Sequence, residues 1–398
     1  MTTLDKKGQD ITINGNTKKN ASKTPLEFLF ENLGNNNAIV LKAMTGSGKS
    51  TSMPIYMLKQ FSNKKIAMTQ PRIANVNAIR DRIRDLTKKP EIIGSITSQG
   101  NDLNNKNRLV IYTEGSYDVD KDDDWVIIDE AHERTASVDL LLGSLLNQKG
   151  KKKLIITSAT IDPEVYKNYL QQNGWNVMIA EVKGVAPKYN VPIFLNNNID
   201  NYVEESINII ISKINPVNTL KRNILVFLPS VAIIKNMHGL LNLKLGSEGR
   251  GINIVELYRG NINIDSIIPR DRKIVNIILA TNVAETGITF DNLKYVIDSG
   301  WTNNGYYNPE SNVDMLLKGQ ITGDMALQRW GRSGRSRDDN GDIIEGVIYC
   351  LYTKEYYNDK IKEYKGLPSI LTGRMDNLVL QKCYWRSNRS SLWKFALM

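Results

Sequence analysis

Two adjacent carboxylates, Asp129 and Glu130, directly follow a short apolar run, Trp125–Ile128. Neighbouring acids repel each other, so this pair requires a cation or a structural role that offsets the repulsion. A structural role is available, because acidic side chains favour the start of the helix that the next residues predict. A catalytic role is also available, with one carboxylate holding a metal ion and the other activating water. Other segments of the sequence distinguish the two roles.

A glycine-rich segment, AMTGSGKST at 43–51, has the composition of a phosphate-binding loop. It follows an apolar strand-like run and precedes a helical pattern, which is the context that such a loop requires. A chance glycine-rich turn is the alternative, since alanine replaces the first glycine of the strict pattern. Backbone amides at the start of the helix would bind phosphate, the lysine would reach the terminal phosphates and the serine would bind Mg²⁺. The predicted nucleotide-binding residues are Thr45, Gly46, Ser47, Gly48, Lys49, Ser50 and Thr51.

This loop favours the catalytic interpretation of the two carboxylates. In phosphate-loop enzymes, a carboxylate at the end of a neighbouring strand helps to hold Mg²⁺, and Asp129 fits that description. Glu130 would then polarise the attacking water, because hydrolysis needs a base near the γ-phosphate. The sequence therefore predicts Ser50 and Asp129 as metal ligands and Glu130 as the catalytic base.

A second group of charged residues lies in QRWGRSGR, at 328–335. On a helix, residues three apart share a face, so Arg329, Arg332 and Arg335 are predicted to form a cationic edge. Arginines in this arrangement can stabilise the charge of a phosphoryl-transfer transition state. The alternative is a solvated basic face of a surface helix. The two glycines of the segment argue against it, because glycine lowers helix stability.

Strand-like runs alternate with helical patterns along most of the chain, which predicts an α/β fold with mostly parallel sheets flanked by helices. This alternation is interrupted near residue 185 and then resumes, so two tandem lobes are expected. The predicted organisation is a flexible N-terminal arm at 1–24, a first lobe at 25–185, a second lobe at 186–358 and a short extension at 359–398.

Composition further limits the range of possible functions. The 398 residues include 52 Lys and Arg against 42 Asp and Glu, a net charge of +10 that favours a polyanionic partner such as nucleic acid. A basic protein without a charged partner is the alternative. Two cysteines exclude a disulfide framework and a thiolate zinc site. With no signal-like segment and no run of membrane-spanning length, the sequence predicts a soluble, intracellular protein that does not bind membranes.

Taken together, these segments resemble the DEAH-box RNA helicases of superfamily 2. The resemblance covers residues from about 25 to 380 and lies in eight segments that follow the family's order. They are the phosphate loop (43–51), TQPR (69–72), TEG (113–115), DEAHERT (129–135), SAT (158–160), ILVFLPS (224–230), LATNVAETGITF (279–290) and QRWGRSGR (328–335).

The resemblance implies two RecA-like lobes that bind ATP with Mg²⁺ in the cleft between them. Other nucleoside triphosphates are expected to be accepted, because no adenine-reading glutamine motif precedes the loop. The family's roles transfer to further positions of this chain. Gln328, Arg332 and Arg335 would act in catalysis, Gly287 and Asp291 would line the nucleotide, His132, Ser158 and Thr160 would couple nucleotide state to RNA, and Arg72, Thr113 and Thr281 would bind the RNA backbone.

The resemblance also implies an activity, which is ATP-dependent translocation in the 3′ to 5′ direction on single-stranded RNA, with duplex unwinding or remodelling of RNA–protein complexes. A hairpin at 303–322 would help to separate strands. Residues 367–381 resemble the beginning of the family's winged-helix domain, and the family's later domains are expected to be missing or vestigial. Two alternatives therefore stay open: an RNA-stimulated NTPase that needs a protein activator to unwind, and a non-catalytic RNA-binding scaffold. The expected partners are single-stranded RNA or an overhanging duplex, bound by a monomer.

Overall fold

The computed structural model describes residues 3–18, 22–44, 47–183, 188–197, 201–214, 222–245, 251–261, 274–285, 290–335, 338, 341–376 and 379. Contacts divide the chain into two compact units. The first comprises Met1–Ala186 together with Leu367–Met398, and the second comprises Pro187–Gly366.

The first unit is built on a ten-stranded sheet with the order β2-β1-β10-β3-β9-β8-β4-β7-β5-β6. The seven strands from β10 to β5 are parallel, whereas β1, β2 and β6 pair antiparallel at the two edges. The strands are β1 Ile11–Ile13, β2 Asn16–Lys18, β3 Ala38–Ala43, β4 Ile66–Gln70, β5 Ile93–Thr97, β6 Gly100–Asp102, β7 Leu109–Thr113, β8 Trp125–Ile128, β9 Lys153–Ser158 and β10 Val177–Val182.

Helices cover both faces of this sheet, and for that reason its central strands are continuous apolar runs rather than alternating ones. Several helices begin at side-chain caps, such as the Thr24–Glu27 capping box of α1 and Asp162 before α5. The helices are α1 Pro25–Glu31, α2 Ser52–Gln60, α3 Ile73–Thr87, α4 Ala136–Leu145 and α5 Pro163–Gln172. Short 3₁₀ turns occupy Thr3–Asp5, Pro90–Ile92, Glu114–Ser116, Ala131–Glu133 and Leu146–Gln148.

The N-terminal residues of the described chain are not the loose arm that their polar composition predicts. Strands β1 and β2 extend the sheet beyond β10, with Ile11 opposite Val182. Leu4 and Ile11 are buried in the core of the first unit. The polar side chains between them conceal this role, because an edge strand needs few apolar residues to hold its position.

The second unit contains a six-stranded parallel sheet with the order β11-β18-β15-β12-β14-β13. A separate two-stranded sheet, β16 with β17, forms the predicted hairpin and pairs Trp301 with Gln320 and Asn308 with Val313. The strands are β11 Ile193–Leu195, β12 Asn223–Phe227, β13 Ile252–Leu257, β14 Val275–Ala280, β15 Leu293–Asp298, β16 Trp301–Asn308, β17 Val313–Gln320 and β18 Val347–Thr353.

The helices of the second unit are α6 Tyr202–Ile214, α7 Val231–Leu245, α8 Gly323–Trp330 and the single turn α9 Lys354–Tyr356. A 3₁₀ turn covers Asn282–Glu285, and a π-helical turn covers Tyr357–Ile361. Trp330, at the end of α8, is buried in an aromatic cluster with Phe194 and Tyr357. The bulk of this side chain therefore fills the interior of the second unit.

Residues 367–376 pack on the first unit. Helix α10, Ser369–Thr372, lies against α4, and Ile370 is buried in the same core as the leucines of that helix. The Ser369 amide donates to the Arg134 carbonyl at 3.2 Å. Of the predicted winged-helix beginning at 367–381, residues 367–376 and 379 are described, whereas 377, 378, 380 and 381 lie outside the described residues.

Candidate active site

The phosphate-loop residues Ser47–Thr51 lie between β3 and α2, while Thr45 and Gly46 fall outside the described residues. Gly48 has φ 101°, a backbone conformation that favours glycine, and its carbonyl accepts the amides of Thr51 and Met53 at 3.2 and 3.1 Å. This turn directs the Lys49 side chain inward, where it is 2% exposed. The sequence context of strand, loop and helix is therefore the one that the motif predicts.

Asp129 follows β8 and is fully buried beside the loop. The Ser50 hydroxyl donates to its Oδ2 at 2.6 Å, and Gln70 Nε2 donates to the same atom at 2.7 Å. Its Oδ1 accepts the Thr157 hydroxyl and the Glu130 amide. The predicted pair Ser50 and Asp129 thus lies together, held by two donors that sequence reasoning missed.

Gln70 and Thr157 were detectable in principle. Gln70 belongs to the TQPR segment and ends β4. Thr157 directly precedes SAT and is the penultimate residue of β9, so both lie at the carboxyl ends of strands adjacent to β8 in the parallel sheet. Carboxyl ends of neighbouring parallel strands meet at one sheet edge. The sequence signal for these two residues is their position near the carboxyl end of a strand. Their residue types alone are not informative, because both are common in strands.

Glu130 lies opposite the phosphate-loop lysine. Lys49 Nζ is 2.9 Å from Glu130 Oε1, and both side chains are nearly buried. The backbone of Glu130 is left-handed, with φ 55° and ψ 37°, which is strained for a residue with a side chain. Strain of this kind is stored at functional sites, where it fixes the direction of a side chain.

His132 connects this carboxylate to the SAT segment. Its Nδ1 lies 3.0 Å from Ser158 Oγ and 3.4 Å from Glu130 Oε2. Ser158 Oγ in turn accepts the Thr160 amide at 3.2 Å. The three residues predicted to couple nucleotide and RNA therefore form a contiguous chain that begins at Glu130.

The donor set fits Mg²⁺. The Ser50 hydroxyl and the Asp129 carboxylate provide two hard oxygen ligands in contact with each other. Among the described residues, no group of three or more His, Cys, Asp or Glu side chains could hold a metal by itself. Magnesium sites of NTPases use one or two carboxylates and complete the shell with substrate phosphates and water.

Two of the predicted RNA-contact residues lie along the same sheet edge. Arg72, after β4, lies 3.4 Å from Glu133 Oε1, and Thr113, at the end of β7, shares a hydrogen bond of 2.7 Å with Ser116. The next residue, Glu114, is 4% exposed, and burial raises its pKa to about 8. Its Oε2 accepts the Thr135 hydroxyl. TQPR, TEG and DEAHERT therefore meet in one polar cluster.

The cationic edge predicted from three arginines on one helix face is wrong, because α8 ends at Trp330. Arg329, on the helix, is fully buried and pairs with Glu285 and Asp298 at 2.8 Å each. Burial lowers its pKa, but the two carboxylates outweigh this and raise it overall. Arg329 is therefore a core ion pair within the second unit, and sequence spacing cannot separate it from the arginines that follow.

The other residues predicted to act from the second unit are only partly described. Arg332 is buried just after α8, its Nε 3.4 Å from the Gln328 carbonyl, whereas Arg335 is exposed. Thr281 follows β14, and its amide donates to the Leu257 carbonyl at 3.1 Å. Asp291 is exposed and Gly287 lies outside the described residues. The roles of these residues stay predictions.

In the described part of the chain, no helix has the length and apolar character needed to cross a bilayer.

Comparison with known families matches both units. The DEAD/DEAH box helicase family matches residues 27–168, and the helicase conserved C-terminal domain matches residues 205–337. A protein of Acanthamoeba polyphaga mimivirus, named as an ATP-dependent RNA helicase, is 32% identical over 85% of this chain and 50% of its own length. A Schizosaccharomyces pombe protein, named as a pre-mRNA-splicing factor ATP-dependent RNA helicase, is 28% identical over 87% of this chain and 54% of its own length.

Solved structures agree with these matches. The Escherichia coli DEAH/RHA helicase HrpB superposes with a TM-score of 0.74 at 25% identity, over 90% of this chain and 46% of that one. The chain spans about half the length of these relatives. The predicted α/β fold with two RecA-like lobes is confirmed. The chain belongs to the helicases that combine a DEAD/DEAH box domain with a conserved C-terminal helicase domain.

Proposed function

We propose that the protein is a DEAH-type, ATP-dependent RNA helicase that couples nucleoside triphosphate hydrolysis to 3′ to 5′ movement on single-stranded RNA. The observation that carries the proposal is the geometry of four residues in the first unit. Ser50 contacts Asp129 at 2.6 Å and Lys49 contacts Glu130 at 2.9 Å, so two oxygen ligands, a cation and a base lie together. This is the set of groups that phosphoryl transfer to water requires.

Each group has a distinct task. The phosphate loop and Lys49 bind the triphosphate, with the lysine neutralising charge on its terminal phosphates. Ser50 and Asp129 would hold Mg²⁺, which when bound neutralises charge that develops on the phosphate oxygens. Glu130 accepts a proton from the attacking water, and its strained backbone fixes the direction of the carboxylate. Gln328, Arg332 and Arg335 are proposed to stabilise the transition state, and Gly287 and Asp291 to line the nucleotide.

RNA is proposed to bind at the edge where Arg72 and Thr113 lie, with Thr281 contributing from the second unit. The net charge of +10 favours a polyanion, and contacts to phosphates do not depend on base sequence. The relatives' names support RNA as the substrate, and the direction of movement is proposed from the resemblance to DEAH-box helicases. The hairpin of β16 and β17 is proposed to separate strands.

The test is steady-state ATP hydrolysis by the full chain, with and without single-stranded RNA. We expect RNA to stimulate hydrolysis and Glu130→Gln to reduce the rate by about 10² to 10⁴. Glu164→Gln, which removes an exposed acid on α5, is the matched control and should retain the rate. RNA stimulation in the absence of unwinding of a 3′-overhang duplex would favour an RNA-stimulated NTPase that needs an activator. A rate that is equal in wild type and Glu130→Gln would contradict the proposal.

A further inference from the structure

Arg72 and Glu133 form an ion pair across two neighbouring strands. They follow β4 and β8, which are adjacent and parallel, with Thr69 opposite Ile128. Arg72 Nη2 lies 3.4 Å from Oε1 and 3.5 Å from Oε2 of Glu133. The side chains are 28% and 17% exposed, so solvent and salt screen this pair less than a pair on an open surface.

The neighbouring charges make Glu133 the carboxylate that holds Arg72. Arg134, the next cation along the chain, is held by Asp139 through two hydrogen bonds of 3.1 and 3.2 Å. Glu114 is buried in the same cluster, and its raised pKa leaves it protonated at neutral pH. Near neutral pH it therefore does not compete with Glu133 as an anion.

We propose that Glu133 is a positioning residue that holds Arg72 in an ion pair which the RNA backbone must displace, an inference that rests on the proposed function. A phosphate group and a carboxylate each present a pair of anionic oxygen acceptors to a guanidinium, so they compete for the same donors. Binding of RNA at Arg72 then requires Glu133 to give up this contact. The acid sets the RNA affinity without touching the RNA.

The pair also links the RNA-binding edge to the catalytic carboxylate. Glu133 is the last residue of the 3₁₀ turn Ala131–Glu133, and its amide donates to the Glu130 carbonyl at 3.0 Å. Displacement of the Glu133 side chain changes the contacts at one end of a turn whose other end is Glu130. This provides a direct structural path by which RNA occupancy reaches the water-activating group.

The competition has a measurable salt signature. Each phosphate neutralised by a cation on a single strand contributes about 0.7 to the slope of log affinity against log salt. In the wild type, the gain at Arg72 is offset because Glu133 loses its partner and recruits a counterion. Glu133→Gln removes that offset, so the slope should steepen by about 0.7, and the affinity should rise about threefold to tenfold at low salt.

The experiment measures binding of a labelled single-stranded RNA by fluorescence anisotropy between about 50 and 200 mM salt. The chain contains a charge-matched control ion pair, in a more exposed position, at the opposite ends of the same strands. Lys65 precedes β4 and Asp122 precedes β8, and their ion pair is also 3.4 Å long. Asp122→Asn removes one negative charge and one ion pair, as Glu133→Gln does, and should leave the slope unchanged.

A double-mutant cycle completes the test. In an Arg72→Gln background, Glu133→Gln should no longer change slope or affinity, because the competing cation is absent. An unchanged slope in Glu133→Gln, with RNA binding by the wild type, would overturn the inference and leave the proposed function intact. Absence of RNA binding by the wild type would overturn both. If Glu133→Gln does not fold, Glu133→Asp replaces it, since the shorter acid withdraws from Arg72 and should steepen the slope by a smaller amount.

Discussion

The Thr157 hydroxyl donates a hydrogen bond to Oδ1 of Asp129, and both side chains are fully buried. The other carboxylate oxygen, Oδ2, accepts from Ser50 and Gln70. Thr157 therefore fixes the rotation of the carboxylate that is proposed to bind Mg²⁺. Residues that orient a metal ligand in this way commonly change metal affinity by 10- to 100-fold when they are removed.

Thr157→Val should raise the Mg²⁺ concentration that gives half-maximal ATP hydrolysis by about tenfold. Valine has nearly the same shape as threonine, so the change removes the hydrogen bond without opening a large cavity. Titration of the ATPase rate with Mg²⁺ measures the effect. Thr87→Val is the control, because its hydroxyl bonds the Ile83 carbonyl at the end of α3. An unchanged Mg²⁺ requirement in Thr157→Val would show that this hydroxyl does not orient the ligand.

Substitution of Arg329 should reduce stability, whereas substitution of Arg335 should reduce catalysis. Arg329→Gln leaves Glu285 and Asp298 buried without their cation, which costs about 3 to 5 kcal/mol of unfolding free energy. Arg335→Gln changes an exposed side chain, so its effect on unfolding should stay within about 0.5 kcal/mol. Because Arg335 is a proposed catalytic residue, Arg335→Gln should instead lower the hydrolysis rate by about 10³.

Denaturant unfolding and ATPase rates of the two variants test this division. An Arg329→Gln protein with the wild-type unfolding midpoint and a lost activity would assign that arginine to catalysis. A normal rate in Arg335→Gln would remove it from the site.

Much of the fold and the centre of the site followed from the sequence. The phosphate loop and the acids after β8 were predictable because these residues occur within a local sequence pattern of strand, turn and helix. The buried position of Arg329 was not predictable, since a spacing of three residues on a presumed helix cannot show that the helix ends at Trp330. Gln70 and Thr157 were missed for another reason, because their role depends on which strands are neighbours, and strand order is not written in local periodicity.

The C-terminal segment illustrates the same limit. Residues 367–376 are spatially part of the first unit although they follow the second in sequence. The buried apolar side chain of this contact is Ile370, which local sequence patterns cannot distinguish from its exposed neighbour Leu371. Which of the two side chains is buried depends on packing against α4, which is distant in the sequence.

Ile370→Ala should therefore weaken the attachment of this segment. Ile370 is 2% exposed in the core that contains the α4 leucines, and removing its side chain should cost about 2 to 4 kcal/mol. Leu371→Ala, at a neighbouring residue that is 48% exposed, is the matched control and should cost little. Limited proteolysis after residue 366 measures the attachment, and we expect faster cleavage in Ile370→Ala only. Equal cleavage of the two variants would contradict the packing described above.

Glu114 should make the stability of the protein depend on pH. Burial raises its pKa to about 8, with further increases from the Glu133 and Asp139 charges and opposing effects from the Thr135 hydrogen bond and from Arg72. Its Oε2 accepts from Thr135, while its buried Oε1 has no hydrogen-bond partner among the described residues. In the unfolded chain the same group titrates near its ordinary value of about 4.3. Between these two pH values the folded protein binds the extra proton.

Stability should consequently fall as pH rises from about 5 to 8, by up to about 1.4 kcal/mol per pH unit from this group, and level off above about pH 8. Glu114→Gln stays neutral and can still accept the Thr135 hydrogen bond, so this contribution should vanish. The variant should be more stable than the wild type, by a margin that grows with pH across this range. Urea unfolding at several pH values measures the margin, with the exposed Glu31→Gln as the control. A margin that is constant with pH would mean that Glu114 is ionised in the folded protein.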